Sequence, residues 1–462
     1  MEHYDVVVIG TGPAGEGAAM MAAKHHRKVA VVERDAEVGG GCTHRGTIPS
    51  KALRHAVKSL SDVRANPMLR DLASHMKVTF PQLLSSADKV IEAQVQMRQR
   101  FYDRNRVPVL AGSAAFIDAH TLEITPRAEE PYRITAGHVV IASGSRPYHP
   151  PGLDFTHPRI RDSDTVLRFD ESPFSVTIYG AGVIGCEYAS IFLNMGCKVN
   201  LVNTQDRLLS FMDEEIAEAL SYHLRDQGCI IRHNEQFDGC EAREHDVVVK
   251  LKSGRAIKSD LLLWANGRTG NTDGLNLGAI GLSANQRGQI AVNEHYQTAV
   301  PHVFAAGDVI GPPALASAAY QQGGHVGAYI VDPSTPAPRL DLVPSGIYTI
   351  PEISSVGRSE RELQQAGVRY ELGHIHFKSL ARAQMTNQRV GMLKILFDPD
   401  TLRVLGVHCF GDNASEIVHI GQTVMASPDL NSLQYFVNTT FNYPTMAEAY
   451  RIAAYNGLNR LV

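Results

Sequence analysis

Two glycine-rich turns carry the first chemistry this chain offers. Gly10-Thr11-Gly12-Pro13-Ala14-Gly15 follows the apolar run Val6–Ile9, and Gly180-Ala181-Gly182-Val183-Ile184-Gly185 follows Ser175–Tyr179. Each opens a helix-like run, to Ala23 and to Met195, and each leads to a second apolar strand, Val29–Glu33 and Lys198–Asn203. Glycines at these spacings let the backbone approach a pyrophosphate, which the N–H groups and partial positive charge of the helix start then bind. One such turn is weak evidence. Two with matching flanks, about 170 residues apart, point to two dinucleotide-binding βαβ units.

The residue ending each second strand decides how a ribose is met. Glu33, with Arg34 beside it, stands 18 residues after Gly15, the spacing of a carboxylate that accepts from ribose hydroxyls. The bland alternative is a solvated strand-end charge. In the second unit the position is Asn203, which is neutral and can donate or accept. Arg207 lies four residues on, near enough to screen a 2′-phosphate. The expectation is a site that admits both NAD(H) and NADP(H); the alternative is that Asn203 merely caps a turn. A third acid, Asp308, follows Gly307 after the strand-like Phe304–Ala306. It is placed either to bind a cofactor or to N-cap a helix over 314–320.

These residues need a sizeable scaffold, and the chain has one. Its 462 residues are 44% hydrophobic and 20% charged, enough for two to four domains with separate cores. The net charge of −4 argues against nucleic-acid binding. The N-terminus has no basic and apolar leader pattern, and the uncharged run from Asp308 to Asp332 is too rich in Pro, Gly and Gln for a membrane span. The six cysteines form no CxxC pair and the histidines no HExxH, so neither a disulfide framework nor a metal site is expected. A reducing cytoplasm is the expected setting. Residues 80–106 suit helix, Val139–Pro147 a buried strand ending in a turn, and Asp332–Pro344 a Pro-rich linker. Val390–Phe397 and Val404–Phe410 are expected as strands of a further α+β unit.

In the same order, the chain resembles the pyridine nucleotide–disulfide oxidoreductase family over essentially its whole length. The likeness rests on Gly10–Gly15 with Glu33, Gly39-Gly40-Gly41-Cys42, Ala142–Pro147, Gly180–Glu187, Gly267-Arg268, Ala306-Gly307-Asp308 and Tyr348–Gly357. It implies an α/β protein with two Rossmann-like dinucleotide-binding domains and a C-terminal α+β dimerisation domain. The expected divisions are 1–148 (FAD, first part), 149–270 (NAD(P)), 271–338 (central return segment) and 339–462 (interface). The implied FAD contacts are Gly10, Gly12, Pro13, Ala14, Gly15, Glu33, Arg34, Gly40, Gly41, Cys42, Lys51, Ala114, Ser143, Gly144, Gly307 and Asp308. For NAD(P) they are Gly180, Gly182, Val183, Ile184, Gly185, Glu187, Asn203, Arg207 and Gly267. Lys51 and Glu187 are implied near the flavin ring as an ion pair; the bland readings are a pyrophosphate contact for Lys51 and a helix-surface acid for Glu187.

Two departures from the family pattern redirect the chemistry. Disulfide-reducing members have a second cysteine where Thr47 stands, in the stretch Gly39–Lys51 laid out like their active-site helix, and a His-Pro where Tyr443-Pro444 stands. Cys42 is left unpaired; its helix-start position is expected to lower its pKa. A phenol is a poor proton shuttle near neutral pH, and Glu448 either orients Tyr443 or sits in the dimer contact. His44 and Arg45 read as a solvated turn, with a hold on nucleotide phosphates as the alternative. With no redox disulfide, a second nicotinamide is the simplest acceptor. The resemblance is then to the FAD-containing transhydrogenase branch, NADPH + NAD+ ⇌ NADP+ + NADH, in a homodimer or larger homo-oligomer without nucleic-acid or membrane partners. A quinone or dye reductase and a non-catalytic flavin redox sensor are the alternatives.

Overall fold

The computed structural model describes residues 1–69, 71, 75–338 and 342–461. Strand β1 (Glu2–Ile9), helix α1 (Pro13–Lys24) and strand β2 (Val29–Glu33) form the first βαβ unit. β1 lies between β2 and the strand Tyr132–Ile141, parallel to both. Both of its faces are covered, and Val7 and Val8 are fully buried, which is why the segment reads as a continuous apolar run rather than an alternation. The sheet has seven strands. Tyr132–Ile141 is long enough to serve two partners: its first half pairs antiparallel with Thr121–Thr125, its last three residues parallel with Val303–Ala305. The chain therefore returns, after the second unit, to complete the first sheet.

The second unit is a five-stranded parallel sheet in the order Ile230–Arg232, Lys198–Val202, Ser175–Tyr179, Leu261–Trp264, Ile160–Asp162. Its helix runs Val183–Asn194. The three glycines of each turn do the same three jobs in the two units. A Cβ on Gly10 (φ +107°) would lie 2.4 Å from Ala142 O, and one on Gly180 (φ +108°) 2.6 Å from Ala265 O. A Cβ on Gly15 or Gly185 would strike the first glycine's own carbonyl at 1.9 or 1.8 Å. Gly12 and Gly182 face open space, which leaves room for a ligand's phosphate at the helix start.

The C-terminal unit is a five-stranded antiparallel sheet in the order Ser345–Ile347, Glu352–Gly357, Val404–Gly411, Gly391–Phe397, Glu371–His376. Helices Ala414–Ala426, Leu433–Asn438 and Glu448–Leu458 pack on it. The expected strands at 390–410 are present within a residue, and the helix-forming stretch 80–106 holds helices Phe80–Ser85 and Asp88–Arg104. Part of the expected Pro-rich linker, residues 339–341, lies outside the described residues.

The segment after β2 corrects one expectation. Cys42 and Lys51 do not share one helix. Cys42 lies in the short α2 (Gly40–His44), and Thr47 begins α3 (Thr47–Ala65), with Arg45 and Gly46 breaking the ladder between them. Among the described residues, no helix is long and apolar enough to cross a membrane.

Candidate active site

One cavity of about 540 Å³ joins the units, a size that suits a cofactor site. From the first unit it is lined by Gly10, Gly12, Pro13, Ala14, Glu33 and Arg34, then by Gly40, Gly41, Cys42, Thr47 and Lys51. Ala114, Ser143, Gly144, Gly307 and Asp308 close the same wall. The second unit contributes Val183, Ile184 and Glu187. Of the residues expected at the site, Gly15, Gly180, Gly182, Gly185, Asn203, Arg207 and Gly267 do not line it. Gly15, Gly180 and Gly185 shape the backbone behind the turns.

Lys51 and Glu187 meet. Lys51 Nζ donates to Glu187 Oε2 at 2.7 Å, across 136 positions of sequence. Glu187 is buried rather than a helix-surface acid, and its other oxygen accepts from the backbone N–H of Tyr348 at 2.8 Å. Glu187 is thereby clamped between a cation and an amide, as a buried carboxylate requires. The Lys51 ammonium also lies 5.1 Å from the Tyr348 ring centroid.

The first strand-end acid is equally fixed. Glu33 is buried; its Oε2 accepts from Thr11 N at 3.0 Å and from the Thr11 hydroxyl, and its Oε1 from Asp35 N at 2.9 Å. It is not a solvated charge. The same test excludes the capping role of Asp308: the following helix begins at Ala316 with Leu315 as its cap, and Asp308 accepts from Ser145 Oγ at 2.7 Å at the cavity wall. The wall suits FAD. The Ser143 hydroxyl is buried without a partner among the described residues, and Gly12 presents open space at a helix N-terminus.

The second strand end behaves differently. Asn203 is buried, and its amide donates to Arg207 O at 2.7 Å, lies 3.1 Å from His233 Nδ1, and accepts from Gln205 N at 3.2 Å. This is the turn-capping alternative rather than an amide free for a ribose. Arg207 is paired with Glu214.

Cys42 also departs from expectation. Burial pushes its thiol pKa up, against the smaller opposing effects of a hydrogen bond with Thr47 and the nearby Arg98 charge; the short α2 does not overcome that desolvation. Thr47 therefore occupies the partner position with a hydroxyl. Arg45 is not a solvated turn residue. It lines the cavity and pairs with Asp35 at 2.7 Å and Asp164 at 3.9 Å, while His44 Nε2 lies 2.9 Å from Val38 O. Tyr443 is exposed, and Glu448 accepts from Arg451 on its own helix at 3.0 Å.

Sequence reasoning overlooked Tyr348, Tyr188 and Arg268 at the cavity. Arg268 donates from Nε to Ser145 Oγ at 2.8 Å and so reaches the Asp308 chain. The only signal for Tyr348 was its place in the Tyr348–Gly357 motif. Away from the cavity, Asp213, Glu215 and Glu360 bring their carboxylates within 4.8 Å of one another. The cation among them is the fully buried ammonium of Lys394, 3.0 Å from both Asp213 and Glu215.

This fold and site define a flavin- and nicotinamide-dependent oxidoreductase. The pyridine nucleotide-disulphide oxidoreductase family matches residues 4–323, and its dimerisation domain matches residues 343–454. The chain belongs to that family; it takes FAD as cofactor, uses a nicotinamide dinucleotide, and forms a homo-oligomer. It is 58% identical over 460 residues to the soluble pyridine nucleotide transhydrogenase of Hahella chejuensis, covering 99% of each chain. It is 57% identical to that of Pseudomonas aeruginosa, again over 99% of each. Among solved structures it resembles the HOCl-induced flavoprotein disulfide reductase RclA of Escherichia coli (TM-score 0.89, 27% identity, covering 98% of this chain and 99% of the other). It also resembles LpdA of Mycobacterium tuberculosis (TM-score 0.89, 25% identity, all of both chains).

Proposed function

We propose that this protein is a soluble, FAD-dependent NAD(P)+ transhydrogenase that carries out NADPH + NAD+ ⇌ NADP+ + NADH in ping-pong fashion. The observation that carries the reading is that Thr47, and not a second cysteine, shares with Cys42 the wall of the cavity that joins both nucleotide units. The names of the relatives support it.

FAD, when bound, supplies a ring that takes a hydride from one nicotinamide and returns it to the next. Glu33, which fixes the Thr11 loop, and Gly12, open at its helix start, would hold the cofactor's ribose and pyrophosphate, and Ser143 and Asp308 would offer it polar atoms along the wall. Lys51 holds a positive charge at the junction of the units, and Glu187 fixes its direction. Gly182 and the helix start behind it receive the nicotinamide nucleotide's pyrophosphate. Val183 and Ile184 give the junction an apolar wall. Cys42, kept as a thiol, and Tyr443, a phenol, offer electrons no exit through sulfur.

The second unit accepts both nucleotides because it has no strand-end carboxylate to repel a 2′-phosphate, not because Asn203 bonds a ribose. The units divide near residues 148, 270 and 338; the oligomer is larger than a dimer, and the setting is the cytoplasm. Steady-state kinetics test the reading. NADPH varied against an NAD+ analogue, without oxygen, gives parallel double-reciprocal lines. Intersecting lines, a preference for quinone by orders of magnitude, or negligible turnover as in a sensor would each overturn it.

A further inference from the structure

The Lys51–Glu187 pair joins two helices from different units, and each helix is tied one turn further on to the same strap. That strap is Tyr348–Glu352, which leads into the C-terminal strand Glu352–Gly357. On α3, Arg54 stands three residues after Lys51; on Val183–Asn194, Ser190 stands three residues after Glu187. Residues at this spacing lie on one helical face. Arg54 donates to Thr349 O from Nε at 3.1 Å and from Nη2 at 3.0 Å. Its Nη1 lies 3.2 Å from Glu352 Oε1. Ser190 Oγ accepts from Ile350 N at 3.1 Å and donates to Glu187 O at 2.9 Å. The Tyr348 N–H closes the set on Glu187.

Arg54 is 7% exposed. A buried guanidinium persists only where its donors are met, and here they are met by backbone and carboxylate of a third unit. The strap thus fixes the roll of α3 through Arg54 and of the opposite helix through Ser190. These are the rotations that decide whether Lys51 reaches Glu187.

We infer that Arg54 is a positioning residue for hydride transfer, which aligns Lys51 with Glu187 through the Thr349–Glu352 strap. The inference rests on the proposed function for its rate prediction, but its thermodynamic prediction stands without it. Two measurements on the FAD-loaded, full-length protein test it. The first is the limiting rate of anaerobic flavin reduction by NADPH. The second is the flavin midpoint potential, read with no nucleotide present.

Arg54→Met slows the limiting rate about tenfold and changes the NADPH Kd by less than about threefold. It moves the midpoint potential in the same sense as Lys51→Met, and Arg54→Lys restores part of both effects. In the Lys51→Met background, Arg54→Met adds less than about twofold, because the two act on one group. Ser190→Ala gives a smaller effect of the same kind and serves if Arg54→Met does not fold. A folded variant with unchanged potential and rate would overturn the inference. So would full multiplication of the effects in the Lys51→Met background, since that marks general loosening. If the parent is not bleached by NADPH, the proposed function fails instead, and the potential shift still decides the role of Arg54.

Discussion

In the first βαβ unit the strand-end acid Glu33 is held by the amide and hydroxyl of Thr11, the second residue of its glycine turn. In the second unit the corresponding turn residue is Ala181 and the strand-end residue is Asn203. Ala181 has no hydroxyl, and Asn203 turns its amide to its own loop. The glycine geometry that admits a pyrophosphate is closely repeated, at 2.4 and 2.6 Å for the first glycine and 1.9 and 1.8 Å for the last. The strand-end arrangement beside it is not. The first unit's strand end carries a fixed carboxylate and the second's a neutral amide, a difference that fits the proposal of one retained cofactor and two exchanging nucleotides. On the proposed reading, retention is set by two pairs of positions, 11 with 33 and 181 with 203, rather than by the fingerprint itself.

Breaking the first unit is the largest expected effect. Glu33→Ala takes the acceptor from the buried Thr11 amide and hydroxyl, leaving the hydroxyl only the Gly39 N–H that it accepts, and removes the proposed ribose acceptor. FAD affinity falls about a hundredfold, or about 2.7 kcal/mol, and the protein loses its colour on dialysis. Retained colour would show that Glu33 does not hold the cofactor. Next comes transplanting the first device into the second unit. Ala181→Thr with Asn203→Glu raises the ratio of NADP(H) to NAD(H) dissociation constants about thirtyfold. Asn203→Glu alone buries an unsupported carboxylate and destabilises the fold. If titration gives equal Kd changes for both nucleotides, the strand end does not face the ribose.

A third test works at the junction. Thr47→Cys places a thiol beside Cys42 and lets a disulfide form. Titratable thiols fall by about two on oxidation, and transhydrogenation drops about tenfold as electrons divert. Unchanged thiol counts would refute the contact between positions 42 and 47. The parent Cys42 behaves as the upward shift of its thiol dictates. A raised pKa leaves less thiolate at any pH below it, so alkylation at pH 7 is slower than that of a free thiol and accelerates only as pH rises above the ordinary thiol range. Fast labelling at neutral pH would contradict the burial. The smallest effect is Asn203→Ala. It costs about 1 kcal/mol of stability from the lost turn bonds, seen in thermal melts, and shifts nucleotide preference by less than about threefold.

The glycine turns, Glu33 and the strands around them were legible because their rules are local: a fixed spacing, a period, a turn. The family resemblance supplied Lys51 and Glu187, whose partnership spans 136 positions and leaves no local trace. Arg45 and Asn203 were misread for a related reason. Arg45 looks like an ordinary loop residue, and its partner Asp164 is brought in by the fold, whereas Asn203 sits at the position of a ribose contact and instead bonds its own loop. Cys42 was misread because a helix start lowers a thiol pKa only when water remains, and burial here is a property of tertiary packing. Arg54 was invisible, since its acceptor, Thr349 O, is 295 positions away.

The central claim is that reducing equivalents enter and leave through nicotinamide alone, with no sulfur relay. The direct measurement is anaerobic visible spectroscopy of the FAD-loaded Cys42→Ser protein, whose cavity lining then holds no sulfur. One equivalent of NADPH bleaches the flavin, and NAD+ alone, without thiol, disulfide or oxygen, restores the full absorbance. A protein bleached by NADPH that stays bleached until a disulfide or quinone is added would contradict the account.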